Sequence, residues 1–99
     1  MKVIETPSYL DELPKHTSTV LEFAKTNVLN IQLKAGESIP EHKSDADVLI
    51  VVRRGAVTFT VGGETVELTA GKLLLLEPGE LHDLLAQEDT DLLAVQIGR

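Results

Sequence analysis

Two alternating runs of residues meet at Gly62-Gly63, and no other feature of the chain limits its possible folds so tightly. Val57, Phe59 and Val61 alternate with Thr58 and Thr60 before the glycines, and Val66 and Leu68 alternate with Thr65 and Glu67 after them. A two-residue period buries one face of a strand, and paired glycines supply the positive φ of a tight turn, so the segment predicts a β-hairpin. The same period runs through residues 28–34, where Leu29, Ile31 and Leu33 fall on one face and Asn30, Gln32 and Lys34 on the other. Short apolar runs at 20–24, 48–52, 73–76, 82–86 and 92–97 read as further strands, punctuated by Lys25, Thr26 and Asn27, by Gly36, by Gly71 and by Pro78-Gly79. With no long helical period, this spacing predicts a small all-β barrel or sandwich.

The chain of 99 residues is expected to form a single domain, with residues 1–19 as an N-terminal arm and 20–98 as the barrel. Pro7 and Pro14 interrupt the arm, residues 8–13 have the pattern of one helical turn capped by Ser8, and His16 reads as an exposed arm histidine. No cysteine is present, which excludes disulfides and thiolate sites and fits a reducing cytoplasm. The first residues have no long apolar run behind Lys2, and no segment is apolar enough to span a bilayer, so a soluble cytoplasmic protein without a membrane partner is expected. A net charge of −7, from 9 basic and 16 acidic residues, opposes a phosphate backbone and argues against nucleic acid as a partner. Residues 48–52 and 73–76 are apolar on both faces, which predicts cover on both sides and hence a symmetric homodimer.

The segment 36–55 reads GESIPEHKSDADVLIVVRRG. Its spacing is Gly36, five residues, His42, one residue, Ser44, three residues, Val48, six residues, Gly55. This resembles the first motif of the cupin family, Gly-x5-His-x-His-x3/4-Glu-x6-Gly, with Ser44 in place of the second histidine and Val48 in place of the glutamate. Gly71, Gly79 and His82 sit at the spacings of the second motif, Gly-x5-Pro-x-Gly-x2-His-x3-Asn. There Pro78 is displaced by one position and Ala86 replaces the asparagine. The resemblance covers about residues 28–97 and implies a double-stranded β-helix, or jelly-roll, barrel. It also implies that His42, Ser44, Val48 and His82 point into the barrel. Parity alone places His42, Ser44, Val48, Ile50 and Val52 on one face of a continuous strand, and gives Arg54, not Arg53, access to the interior.

The interior so described is mostly aliphatic, with two imidazoles and one hydroxyl. One reading is a module that binds a small molecule and requires no cofactor, with His42 and His82 bonded to each other, to Ser44 or to water. The alternative is a metal-dependent cupin enzyme of dioxygenase, isomerase or decarboxylase type. There His42 and His82 hold iron, manganese, nickel, copper or zinc, helped by Asp45, Asp47 or Glu41 bending in from the rim. Without a metal, the imidazole pair is suited to holding an anionic or carbonyl-bearing ligand or to acting as a general base. Ser44 as a nucleophile lacks a carboxylate to orient its base.

Overall fold

Nine antiparallel strands form in the computed structural model, which describes residues 1–99. They are β1 (Lys15–Phe23), β2 (Thr26–Leu33), β3 (Ser38–His42), β4 (Asp47–Arg54), β5 (Val57–Val61), β6 (Glu64–Leu68), β7 (Leu73–Leu76), β8 (His82–Ala86) and β9 (Thr90–Ile97). One sheet has the order β1-β2-β9-β4-β7 and the other β3-β8-β5-β6, so the chain passes back and forth between two facing layers. The molecule is an all-β jelly roll: the alternation and turn spacing predicted a small all-β barrel or sandwich, and the resemblance to the cupin motifs implied this form of it.

The hairpin at Gly62-Gly63 forms as predicted, with Val61 paired to Glu64 and Val57 to Leu68. Both glycines have positive φ, +57° and +84°, which the right-handed twist of the flanking strands favours. Strands β7 and β8 occupy the predicted residues. The inward faces close on a core that includes Leu33, Val57, Phe59 and Leu92, all with 0% exposure. Burying each such side chain contributes about 1.5–3 kcal/mol.

The N-terminal third differs from expectation in three places. Strand β1 begins at Lys15, not near residue 20, so residues 15–19 belong to the five-stranded sheet. The turn to β2 is Ala24-Lys25, two non-glycine residues with φ of 44° and 61°, and Thr26 and Asn27 are already paired in β2. His16 is half-buried on β1, with its ring centroid 4.3 Å from that of Tyr9. The predicted helical turn is present, with the Leu13 amide donating to the Tyr9 carbonyl at 2.8 Å.

Leu29, Ile31 and Leu33 face the core, but the opposite face of β2 is not solvated. Asn30 and Gln32 are 3% and 1% exposed because the arm lies across them. The Tyr9 amide donates to Gln32 Oε1 at 2.8 Å, and Gln32 Nε2 donates to the Pro7 carbonyl at 2.9 Å. Asn30 donates to Asp91, which also accepts two bonds from Arg53, and Arg53 donates in turn to Thr6. One side chain, Gln32, thus ties two backbone groups of the arm to the sheet. In Gln32→Ala the Tyr9 amide is expected to exchange with solvent about 10- to 100-fold faster, which hydrogen exchange by NMR measures. An unchanged rate shows that the arm is held by other contacts.

Candidate functional site

Strand β3 ends on His42 and β8 begins on His82, and the antiparallel register sets these two residues opposite each other. Their rings meet edge to face, with centroids 4.2 Å apart and planes at 61°. His42 Nδ1 lies 2.9 Å from the Pro40 carbonyl oxygen, and His82 Nδ1 lies 3.0 Å from that of Glu80. A carbonyl only accepts, so each Nδ1 is the donor, and in the neutral ring Nε2 carries a lone pair. His82 is 4% exposed, whereas His42 is open to solvent. One imidazole is therefore built into the wall and the other stands at the mouth.

Both rings line a cavity of about 140 Å³. Val48, Ile50, Leu29, Ile31, Phe59, Leu84 and Ala94 form its apolar wall, and Lys43, Ser44 and Gln96 complete it. The structure thus brings together His42, Ser44, Val48, Ile50 and His82. It does so by a different route from parity along one strand. Residues 43–46 lie between β3 and β4, which belong to opposite sheets, and the cavity is the space between the sheets' inner faces. A more open groove of about 280 Å³ lies between β6 and β7, but it contains no imidazole and its polar lining is Glu64, Thr65 and Glu80.

Arg54 does not reach the interior. A register shift between Val52 and Arg54 breaks the alternation, Arg54 pairs with Asp91, and its side chain is exposed. Gln96 was missed by the sequence reading and lies opposite Val48 across the β4–β9 pair. The alternation Leu92, Ala94, Gln96 held the signal, since the first two are buried and Gln96 follows them on the same face. Lys43, next to His42, was also missed.

A catalytic divalent metal commonly requires three protein ligands and an open position. No group of three or more His, Cys, Asp or Glu residues is arranged to hold an ion. His42 and His82 offer two imidazole nitrogens, and the remaining polar wall groups are a hydroxyl, an amide and an ammonium. Asp47 is committed elsewhere. It accepts from Arg99 Nε and an Arg99 terminal nitrogen at 3.0 and 2.9 Å, and that hydrogen-bonded ion pair holds its carboxyl below the usual carboxylate range. Asp45 and Glu41 are exposed and do not line the cavity. These residues do not make up the three-ligand set. Nucleophilic catalysis by Ser44 finds no support either. Its Oγ accepts from the Ala46 amide at 3.1 Å, and both histidines give Nδ1 to backbone carbonyls, not to a carboxylate.

The family model described as the cupin domain matches residues 30–98. No functionally curated protein matches the chain by sequence. Among solved structures, a conserved protein of unknown function from Streptococcus pyogenes superposes with a TM-score of 0.82 at 19% identity, over 100% of this chain and 91% of that one. An RmlC-like cupin family protein with a double-stranded β-helix fold from Methanocaldococcus jannaschii gives 0.82 at 18% identity, over 98% and 90%. A salicylate 1,2-dioxygenase from Pseudoaminobacter salicylatoxidans gives 0.78 at 17% identity, over 84% of this chain but only 25% of the enzyme. At these identities the likeness is one of fold.

Proposed function

This chain belongs to the cupin family, and from that premise we propose that its barrel interior binds a small molecule with little or no dependence on a metal ion. The observation that carries this reading is the composition of the cavity. Two imidazoles, a hydroxyl and an amide share an otherwise aliphatic wall in which Val48 supplies no charge. Such a space removes apolar ligand surface from water while a few polar groups fix its orientation. The second reading, a metal-dependent enzyme using His42 and His82, is favoured by the two Nε2 lone pairs that flank one hollow. Metal analysis of tag-free protein prepared without chelators separates the two. Well under one equivalent of iron, manganese, nickel, copper or zinc is expected. Near-stoichiometric metal that is lost in His42→Ala and His82→Ala overturns the proposal.

The proposed working unit is a cytoplasmic homodimer joined through the outer face of the five-stranded sheet. Leu73 and Leu75 are 67% and 57% exposed on β7, and each continues a cross-strand row, Leu73 with Val51 and Leu93, Leu75 with Leu49 and Val95. An aliphatic surface of this continuity supports self-association. Light scattering is expected to give twice the chain mass of 10.8 kDa. Leu73→Glu with Leu75→Glu is expected to return it to one chain. A wild-type mass of one chain at working concentration ends this part of the reading.

A further inference from the structure

Resting on the small-molecule reading, we infer that the cavity takes a short-chain 2-hydroxy monocarboxylate, with Lys43 as the cation that receives its carboxylate. The chain has 16 acidic residues against 9 basic ones, yet no carboxylate lines this cavity and its only permanently charged side chain is Lys43. The sign of the site is therefore opposite to that of the protein around it. An anion is drawn to it, and a cationic or zwitterionic ligand would set an ammonium against Lys43.

The polar wall also has its hydrogen-bonding capacity free. Lys43 and the Gln96 side chain make no hydrogen bond within the chain, whereas Lys15, Lys72 and the buried Gln32 do. The Ser44 oxygen accepts from the Ala46 amide, which leaves its hydrogen to donate. Donors to a ligand are thus the Lys43 ammonium, the Ser44 hydroxyl and the Gln96 amide. The acceptors are of another kind, because Nδ1 of both histidines is held by backbone carbonyls and Nε2 is the atom left to accept. A bare carboxylate satisfies the donors and leaves the imidazole lone pairs facing oxygen. A carboxylate with a hydroxyl on the adjacent carbon serves the donors and one imidazole, since the hydroxyl donates to one Nε2 and exposed His42 leaves the other within reach of solvent. A 2-oxo acid would present an acceptor there instead.

Size limits the rest of the ligand. A cavity of about 140 Å³ is close to the roughly 150 Å³ that holds a benzene molecule in an engineered apolar cavity elsewhere, so about six or seven heavy atoms fit. After the carboxylate and hydroxyl, that leaves an alkyl tail of one or two carbons against Ile50, Phe59 and Leu84. A second carboxylate at the tail would meet that apolar wall without a partner.

The test is an NMR shift titration of the full chain in chelator-treated buffer with 2-hydroxybutyrate, butyrate, 2-hydroxybutyramide and malate. 2-Hydroxybutyrate is expected to bind most tightly, with the uncharged amide about tenfold or more weaker, because a charge-assisted hydrogen bond is lost. Lys43→Gln is expected to abolish the preference for acid over amide. If the amide binds the wild-type chain as tightly as the acid, or if Lys43→Gln keeps the preference, the assigned class is wrong while interior binding stands. If butyrate equals 2-hydroxybutyrate, the role of the hydroxyl and of Nε2 is wrong. If no probe moves the resonances of Ile50 or Leu84, this inference and the small-molecule reading beneath it both fall.

Discussion

Val48→Glu is expected to lose roughly 3 kcal/mol of stability in metal-free buffer, because it replaces a packed isopropyl group by a carboxyl in a buried, mostly aliphatic wall. Val48 is 4% exposed and lines the cavity beside His42 and His82. In a chain of this size that loss lowers the melting temperature by about 12–24 °C. Adding zinc or manganese then reverses the loss, since a carboxylate beside two imidazoles completes a three-ligand site. A ligand at a thousand times its dissociation constant returns about 4 kcal/mol. The wild-type chain, with an isopropyl group at this position, is expected to show little metal-dependent change. Thermal melts with and without metal on both proteins check this. A wild-type rise as large as that of the variant shows that two imidazoles already suffice, and the metal-poor reading then fails. A variant that melts low and stays low shows instead that the Val48 side chain is not directed at the point where the imidazoles converge.

The strands from β5 onward were legible because local signals mark them. Turn residues bound each one; the two-residue period marks β5 and β6, and β7 to β9 stand out as short apolar runs. Strand β1 was misread because Lys15, Thr17 and Thr19 are exposed and carry no apolar signal. Their place in the sheet is set by pairing with Leu33, Ile31 and Leu29. The turn expected at Lys25, Thr26 and Asn27 lies instead at Ala24-Lys25, where neither residue type favours positive φ and so neither marks the position. At the site, the histidine pair was readable from motif spacing, but parity failed on either side of it. It assumed that His42 and Val48 share a strand, whereas the chain changes sheets between them. It also carried Arg54 inward across a register shift that no residue type signals. Gln96 was hidden by its position at the end of a strand, where a polar residue reads as the start of solvent exposure. The clasp between the arm and Gln32 uses the backbone groups of Pro7 and Tyr9. Every residue type offers such groups, so no sequence pattern points to them.

Gly55→Ala is expected to destabilise the fold by at least about 3 kcal/mol, well beyond the cost of its backbone conformation alone. Gly55 has φ of +91° and Gly36 has φ of +88°, so an alanine suffers nearly the same backbone strain at either position. The surroundings differ. A Cβ at Gly36 meets nothing within 4 Å, whereas at Gly55 it runs into the Asp89 carbonyl oxygen and lies 2.7 Å from Thr90 Oγ1 and 2.9 Å from Thr90 Cα. These neighbours cannot readily withdraw. Thr90 is fully buried, and its hydroxyl lies 2.8 Å from the Glu88 carbonyl and 3.1 Å from that of Ala56. Gly36→Ala therefore serves as the control for strain, at a cost of about 1–2 kcal/mol. The difference between the two variants isolates the steric contact where β4 turns towards β5 beneath the start of β9. Urea unfolding of both variants measures that difference, provided the slope with denaturant stays constant. Equal midpoints would mean that the backbone at Asp89 and Thr90 yields, and that the close approach imposes no requirement for glycine at position 55 beyond its positive φ.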